Sequence, residues 1–382
     1  MKQTKNIKSN PYVYSSVPFY NLSAKKINFK KIGKQRFNSK NLKIYLEYNK
    51  IPPLKIKGKD VSEKIFNLFL NNNIRFGPRK YIISLKDYWI KKINFFVSKN
   101  KPLHFIILGF PFKIPVSLKT NRILPDMGEL LALKRLYDIT QLIKVFYKKG
   151  GKITIITEEI FGTFNNMKKE EIINYQKFLA FLLKKFQWDQ NLTLYPLHKM
   201  EDQIINFEKE FQDKIDELEQ NFINRKKSFL KKYYGAYPSI YRITNTKRFN
   251  LSINEFMDVY NEKKETKKKS ILQVRKLIEY YTHPMLIKYL AYLELRDKFD
   301  FINKNFPNSL MLSVSPKPYR LGILPVGKDF IRLPYHGVTV FDEKNKKFSI
   351  EYFVDLIRQN CYIEEIYYEE DKEEKPFFYI KK

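Results

Sequence analysis

Residues 103–109 read LHFIILG and residues 152–157 read KITIIT; what lies between them decides the fold. Each run is continuously apolar and of strand length, the pattern of a strand buried on both faces of a parallel sheet. Phe110–Leu124 forms a proline-containing loop. Pro125-Asp126 then opens a strongly periodic helical segment that stops at Gly150-Gly151, a helix start and a helix stop of the expected kinds. A strand, a helix and a second strand in this order make a right-handed crossover between parallel strands. The unit predicts an α/β, Rossmann-like core with parallel strands.

Working outward, helices are expected at Val61–Leu70, Leu85–Lys99 and Lys168–Phe186, and a third strand at Asn191–Tyr195. The segment 1–57, with Pro11, Pro18, Pro52 and Pro53, reads as a mostly irregular arm with one short strand at Leu42–Tyr48. The segment 199–306 is helical in pattern. Phe211, Ile215, Leu218, Phe222 and Phe229 repeat at helical spacing and predict one amphipathic helix of about 33 residues. Its seam admits a coiled-coil homodimer, but Arg225 interrupts it, which favours packing on the chain's own domain. Strand character returns at Ser309–Ser315, Leu321–Pro325 and Gly337–Phe341, with a closing helix near Ile350–Gln359. The expected organisation is a basic arm (1–60), a Rossmann-like core (61–198), a helical insertion (199–306), and C-terminal strands and a helix (307–382) that complete the catalytic domain.

Charge is the loudest compositional feature: 72 Lys and Arg against 40 Asp and Glu give +32. Such an excess points toward nucleic acid or another polyanion. It is unevenly spread, however. The segment 1–57 holds fourteen Lys and Arg against the single acid Glu47, whereas seven acids fall between Glu364 and Glu374. No nucleic-acid module is present, and the aromatics sit within apolar runs as core residues do, so a nucleic-acid-binding protein without catalysis is the competing reading rather than the preferred one. A single cysteine, Cys361, excludes an internal disulfide and a cysteine-based zinc site. The chain has no secretory signal pattern and no apolar run of membrane-spanning length, which predicts a cytoplasmic protein.

Ligands of open α/β sheets bind beyond the carboxyl ends of the strands. The segment 110–129, FPFKIPVSLKTNRILPDMGE, is therefore the first candidate site. It sets Lys113, Lys119 and Arg122 beside a helix N-terminus, a natural anion site. Lys113 lies between Phe112 and Ile114, and partial desolvation there would make it a usable base or nucleophile. Asp126 and Glu129 have capping-box spacing, so Asp126 serves as a cap, as a catalytic carboxylate, or as both. The four histidines show no metal spacing. His104 reads as structural and His283 as the end of a helical turn before Pro284. No dinucleotide fingerprint, Walker loop or H-E-x-x-H motif occurs.

The run from Lys101 through Phe146, with FPFK (110–113) and PDM-x-E (125–129), resembles the isonitrile synthases of the pyoverdine/dityrosine biosynthesis family. A second block agrees in order: FPNSLMLSVSPKP (306–318), LGILPV (321–326) and LPYHGV (333–338). The resemblance covers roughly half the chain. Departures fall at Thr157-Glu158-Glu159, where the family has Ser-Asp-Gly, at Val116, and at Met311 and Val314-Ser315-Pro316. The resemblance implies conversion of the α-amino group of tyrosine or tryptophan to an isonitrile, with ribulose 5-phosphate giving the carbon and with no metal or organic cofactor. It implies Lys113, Asp126, Glu129 and His336 for proton transfer, Lys119 and Arg122 for the phosphate, and Phe110 and Phe112 for the aromatic ring. A fungal branch of the family makes an N-formylated tyrosine instead, the nearest alternative.

Overall fold

The computed structural model describes residues 30–247, 256, 259, 269–315, 317–328, 330, 332–359 and 361–382. The segment 1–29 of the basic arm and most of 248–268 in the insertion lie outside the described residues. In chain order the strands are β1 (Lys30–Phe37), β2 (Leu103–Gly109), β3 (Gly151–Thr157), β4 (Leu192–Pro196), β5 (Leu310–Ser313), β6 (Leu321–Gly322), β7 (Val338–Asp342), β8 (Lys347–Glu351), β9 (Tyr362–Tyr368) and β10 (Phe378–Lys381).

The first sheet has the order β4-β3-β2-β5-β6 with every pairing parallel. The LHFIILG and KITIIT runs lie side by side, Leu103 opposite Gly151 through Gly109 opposite Thr157. Their side chains alternate between two cores. Phe105, Ile107, Ile153 and Ile155 pack on one face with the helices Val61–Leu68, Lys86–Val97, Met127–Phe146 and Lys169–Lys185. Ile106 and Ile156 pack on the other face, under the helical insertion. This two-sided burial is the reason the strands carry no polar alternation. The chain runs outward from β2 to β4 and then returns to the far side of β2, so the order reverses between β2 and β5, where ligands of such sheets bind.

The second sheet is mixed, with the order β1-β9-β10-β7-β8. It docks on the N-terminus of helix Met127–Phe146. A Cβ at Gly128 would stand 2.7 Å from Thr339 Oγ1 and 2.8 Å from Ile350 Cδ1, so only glycine fits that contact. β1 joins β9 in parallel, and the uneven charge finds its place here: basic β1 meets acidic β9, with Lys31 2.5 Å from Glu365 and Gln35 bonded to Glu364.

Several expectations are corrected. The arm is regular over most of residues 30–47 and irregular, as expected, from 50 to 58. It forms β1 and the helix Ser39–Glu47, and that helix takes up most of the segment expected as a strand at Leu42–Tyr48. Asn38 and Asn41 cap that helix reciprocally, and Leu42 and Leu46 are buried on its inner side. The single long helix expected across Arg225 is two helices, Phe207–Ile223 and Lys227–Ile243, because Arg225 takes a φ of 51° and turns the chain back. Both pack on the helix Lys269–Lys298 of the same chain. His283 lies inside that helix, which continues through Pro284, and bonds Tyr233 and Glu219. The helix expected to close the chain is shorter, Phe353–Ile357, and does not close it, because β9 and β10 follow. His104 bonds Thr154 within the sheet, a structural place. Among the described residues no helix is long and apolar enough to cross a membrane, and no cluster of three or more His, Cys, Asp or Glu could hold a metal ion.

The strand pairing at the chain's ends makes a direct expectation. A chain lacking residues 1–40 loses all of β1 and the Asn38 cap, whereas one lacking 1–29 keeps both. The shorter chain should melt lower, by about 2–4 °C for each kcal/mol that the strand and cap contribute. Equal melting temperatures for the two truncations would show that β1 is dispensable.

Candidate functional site

A cavity of about 290 Å³ opens beyond the carboxyl ends of β2, β3 and β5. Pro111, Phe112 and Ile114 reach it from the segment after β2, Glu158 from the residue after β3, and Ser315 from the end of β5. The insertion closes it from the other side with Ile240, Arg242, Met285 and Tyr289, and the turn Leu333, Tyr335 and His336 forms a third wall beside Tyr352. The size lies at the lower end of small-molecule sites, and Phe112, Phe161, Tyr289, Tyr335 and Tyr352 make the lining aromatic.

Beneath that wall lies a buried ion cluster. Lys113 Nζ stands 2.8 Å from Glu129 Oε2, 2.9 Å from Asp126 Oδ2 and 3.1 Å from the Pro334 carbonyl, to which it donates. The backbone N–H of Asp126 and the hydroxyl of Tyr175 donate to the Glu129 carboxylate. Asp126 Oδ1 in turn accepts from the Gly128 N–H and the Thr339 hydroxyl. Asp126 is thus a cap with a full capping box, and also one member of a buried triad. Burial raises the Glu129 carboxyl, against the pull of Lys113 and with the Asp126 charge adding to the rise. Through the bond to Pro334, and a second from the Ile114 N–H to the Tyr335 carbonyl, the triad fixes the turn that presents His336.

The polar groups of the cavity wall have unusual protonation. Burial, then Arg242 and Arg332, push the Lys119 amine well below its usual range, and its Nζ donates to the Arg242 carbonyl at 2.5 Å. Burial, then Lys119, Lys113 and Arg332, lower His336 to about 3, so its imidazole is neutral at physiological pH. Burial raises Glu158 to about 7 even though Arg296, Arg320 and Lys317 oppose the rise. The carboxyl that titrates near neutrality can take up and return a proton at neutral pH, while the uncharged imidazole in the same cavity offers a hydrogen-bond donor and an acceptor.

The structure therefore divides the residues singled out in the sequence. Phe112, Lys119 and His336 line the cavity. Lys113, Asp126 and Glu129 come together below it and position its wall. Phe110 lines a small apolar pocket of about 30 Å³ that shares Leu333 and Tyr335 with the cavity wall. Arg122 is committed elsewhere. Its guanidinium is 2.5 Å from Asp371 and donates to the Pro376 carbonyl, tying the loop to the acidic C-terminal segment. Glu158, Arg242, Tyr289 and Tyr352 join the site without having been expected there. The rule that points beyond β2 also points beyond β3, and so to Glu158. Nothing in the local sequence marks Arg242 or Tyr289, which reach the cavity only because the insertion folds back over the sheet.

Two measurements check this division. Lys113→Met leaves two carboxylates buried without their cation and should cost about 3–5 kcal/mol of stability in urea unfolding; a loss below about 1 kcal/mol would contradict the buried triad. For Glu158 the folded value near 7 lies above the ordinary 4.5, so its stabilising contribution is full below about pH 4.5 and is lost as pH rises through about 7. The melting temperature of the wild type relative to Glu158→Gln should accordingly fall across that window, and a constant difference would contradict the assignment.

Comparison with known proteins agrees with this architecture. The family described as pyoverdine/dityrosine biosynthesis protein matches residues 93–354. An L-tryptophan isonitrile synthase of Fischerella ambigua is 26% identical over 67% of this chain and 73% of its own length. An L-tyrosine isonitrile synthase of Xenorhabdus nematophila is 30% identical over 31% of this chain and 37% of its own. The crystal structure of PvcA from Pseudomonas aeruginosa superposes with a TM-score of 0.59 at 19% identity, covering 83% of this chain and 99% of that one, a likeness of fold. With its matched region spanning β2 through β8, the chain belongs to the pyoverdine/dityrosine biosynthesis protein family.

Proposed function

We propose that the chain is an isonitrile synthase that converts the α-amino group of L-tryptophan or L-tyrosine to an isonitrile, with ribulose 5-phosphate as the carbon donor. The observation that carries the reading is the similarity to an L-tryptophan isonitrile synthase over two thirds of the chain. The cavity supports it, because an aromatic amino acid needs apolar ring contacts beside groups that handle protons, and both stand at the switch point of the sheet. Phe112 and Tyr289 suit the ring, and Arg242, in the same wall, suits the carboxylate.

The first bond to form would join the amino nitrogen to the ketone carbon of ribulose 5-phosphate. The nitrogen must lose a proton to offer its lone pair, and the carbonyl oxygen must gain protons to leave as water, giving an imine. Lys119, whose amine is pushed well below its usual range, serves as the acceptor, and the neutral His336 imidazole hydrogen-bonds the amino nitrogen to position it. Glu158, which titrates near neutrality, serves as the donor to the departing oxygen.

Purified protein incubated with each aromatic amino acid and ribulose 5-phosphate should yield, by mass spectrometry, a product in which NC replaces NH₂, only when both substrates are present. A formylated amine would instead favour N-formyl-tyrosine chemistry, and no turnover by folded protein would sink the reading. His336→Ala should lower kcat by about ten-fold, the cost of one lost positioning hydrogen bond. Lys119→Arg should lower it by at least about 10²-fold, since arginine stays protonated and cannot accept a proton. Near-normal kcat in Lys119→Arg would remove its proton-transfer role.

A further inference from the structure

Beside the cavity runs a second, more polar cleft of about 340 Å³, lined by Arg296 and Arg320 together with Lys92, Ser309, Asn303 and Tyr319. One helix face borders both spaces. Met285 and Tyr289 line the cavity, and Arg296, two turns beyond Tyr289 in the same helix Lys269–Lys298, lines the cleft. The β5–β6 connection borders both as well, with Ser315 at the cavity and Arg320 at the cleft. Lys317, in that connection, feels the charges of Arg296 and Arg320, and Glu158 of the cavity wall feels all three cations.

Charge is poorly balanced there. Among the described residues Arg320 is half-buried and makes no hydrogen bond or ion pair, while burial and the nearby Arg296 both disfavour its charge. Arg296 pairs only with its chain neighbour Asp297, which also lines the cleft but whose side chain is 76% exposed. Asp300 also lines the cleft but accepts from Asn303. Cations brought this close and partly desolvated are costly unless an anion sits among them. Arginine is also the residue that keeps its charge and binds phosphate oxygens in pairs. Lys119, the phosphate ligand expected from the sequence, is a weaker candidate: its charge is disfavoured and its Nζ is bonded to a carbonyl.

We propose that Arg296, Lys317 and Arg320 form a phosphate subsite, holding the phosphate monoester of the sugar donor in the cleft while its ketone carbon reaches the cavity past Glu158 and Tyr289. The inference rests on the reaction proposed above for the identity of the sugar phosphate, but the subsite itself is tested by binding alone. Isothermal calorimetry with ribulose 5-phosphate and with inorganic phosphate is run on the full chain and on Arg320→Gln, Lys317→Gln and Lys119→Met, with melting temperatures as the check on folding. Arg320→Gln should weaken both ligands at least about ten-fold, the lower end for a lost charge-assisted bond, and Lys317→Gln less. Lys119→Met should weaken inorganic phosphate far less than Arg320→Gln does. Where turnover is found, Arg320→Gln should raise the KM for ribulose 5-phosphate without raising that for the amino acid. Wild-type affinity in both Arg320→Gln and Lys317→Gln, or a larger loss in Lys119→Met, would overturn the subsite. Loss of binding in Arg320→Gln without turnover of any amino acid would keep the subsite and reject the reaction, while turnover with an unchanged KM would do the reverse.

Discussion

The contact of Lys113 with Asp126 and Glu129 is the constraint on which the site depends. It joins three segments distant in sequence: the one leaving β2, the N-terminus of the helix that crosses to β3, and the turn at Pro334 that carries His336. The second sheet is drawn in as well, because Thr339 bonds Asp126 and packs on Gly128. One buried cation facing two carboxylates is an expensive arrangement in isolation. Here it is offset by hydrogen bonds that occupy the oxygens, from Tyr175, two backbone N–H groups and a threonine. A neutral core could replace the charge, but it would not fix the direction of the His336 turn. The triad is a set of positioning residues, and the groups that can touch a ligand stand one layer above it.

That upper layer owes its chemistry to the insertion. Strand ends alone would leave Glu158 and the segment after β2 open to water. Helices from 207–243 and 269–298 cover them, and the covering dehydrates the amine, the imidazole and the carboxyl that face the cavity. Burial is the first cause of all three shifts; neighbouring cations add to those of the amine and the imidazole and oppose that of the carboxyl. The same helix continues past the cavity to Arg296, so one element sets both the dry aromatic chamber and its basic neighbour.

Legibility in the sequence follows the range of the interactions. β2, β3 and the helix between them are readable because two-sided burial leaves uninterrupted apolar runs and because Asp126 marks the helix start, although the helix stops at Phe146, short of the cap expected at Gly150-Gly151. β1 is not, since its pattern is basic and exposed and its strand character comes from pairing with β9 near the opposite end of the chain. Leu42–Tyr48 reads as a strand on a short apolar alternation, although Asn38 and Asn41 carry a helix-start signal. Arg225 breaks the long helix without disturbing the apolar spacing, which is why periodicity runs across it. At the site, the FPFK and PDM-x-E residues are legible but their layers are not. A sequence shows that Lys113 stands near Asp126. Whether a side chain faces inward to a triad or outward to a cavity is decided by the Pro334 turn, which belongs to a distant part of the chain.

The central claim is that the chamber at the β2–β5 switch point brings the amino acid and the ketone carbon of the donor together. A crystal structure of the protein with an aromatic amino acid and ribulose 5-phosphate tests it most directly. The account predicts the aromatic ring against Phe112 and Tyr289, the amino nitrogen within hydrogen-bond reach of His336 or Lys119, and Lys113 still bound to Asp126 and Glu129. An amino acid bound outside this chamber, or held directly by Lys113 after the triad has opened, would contradict it.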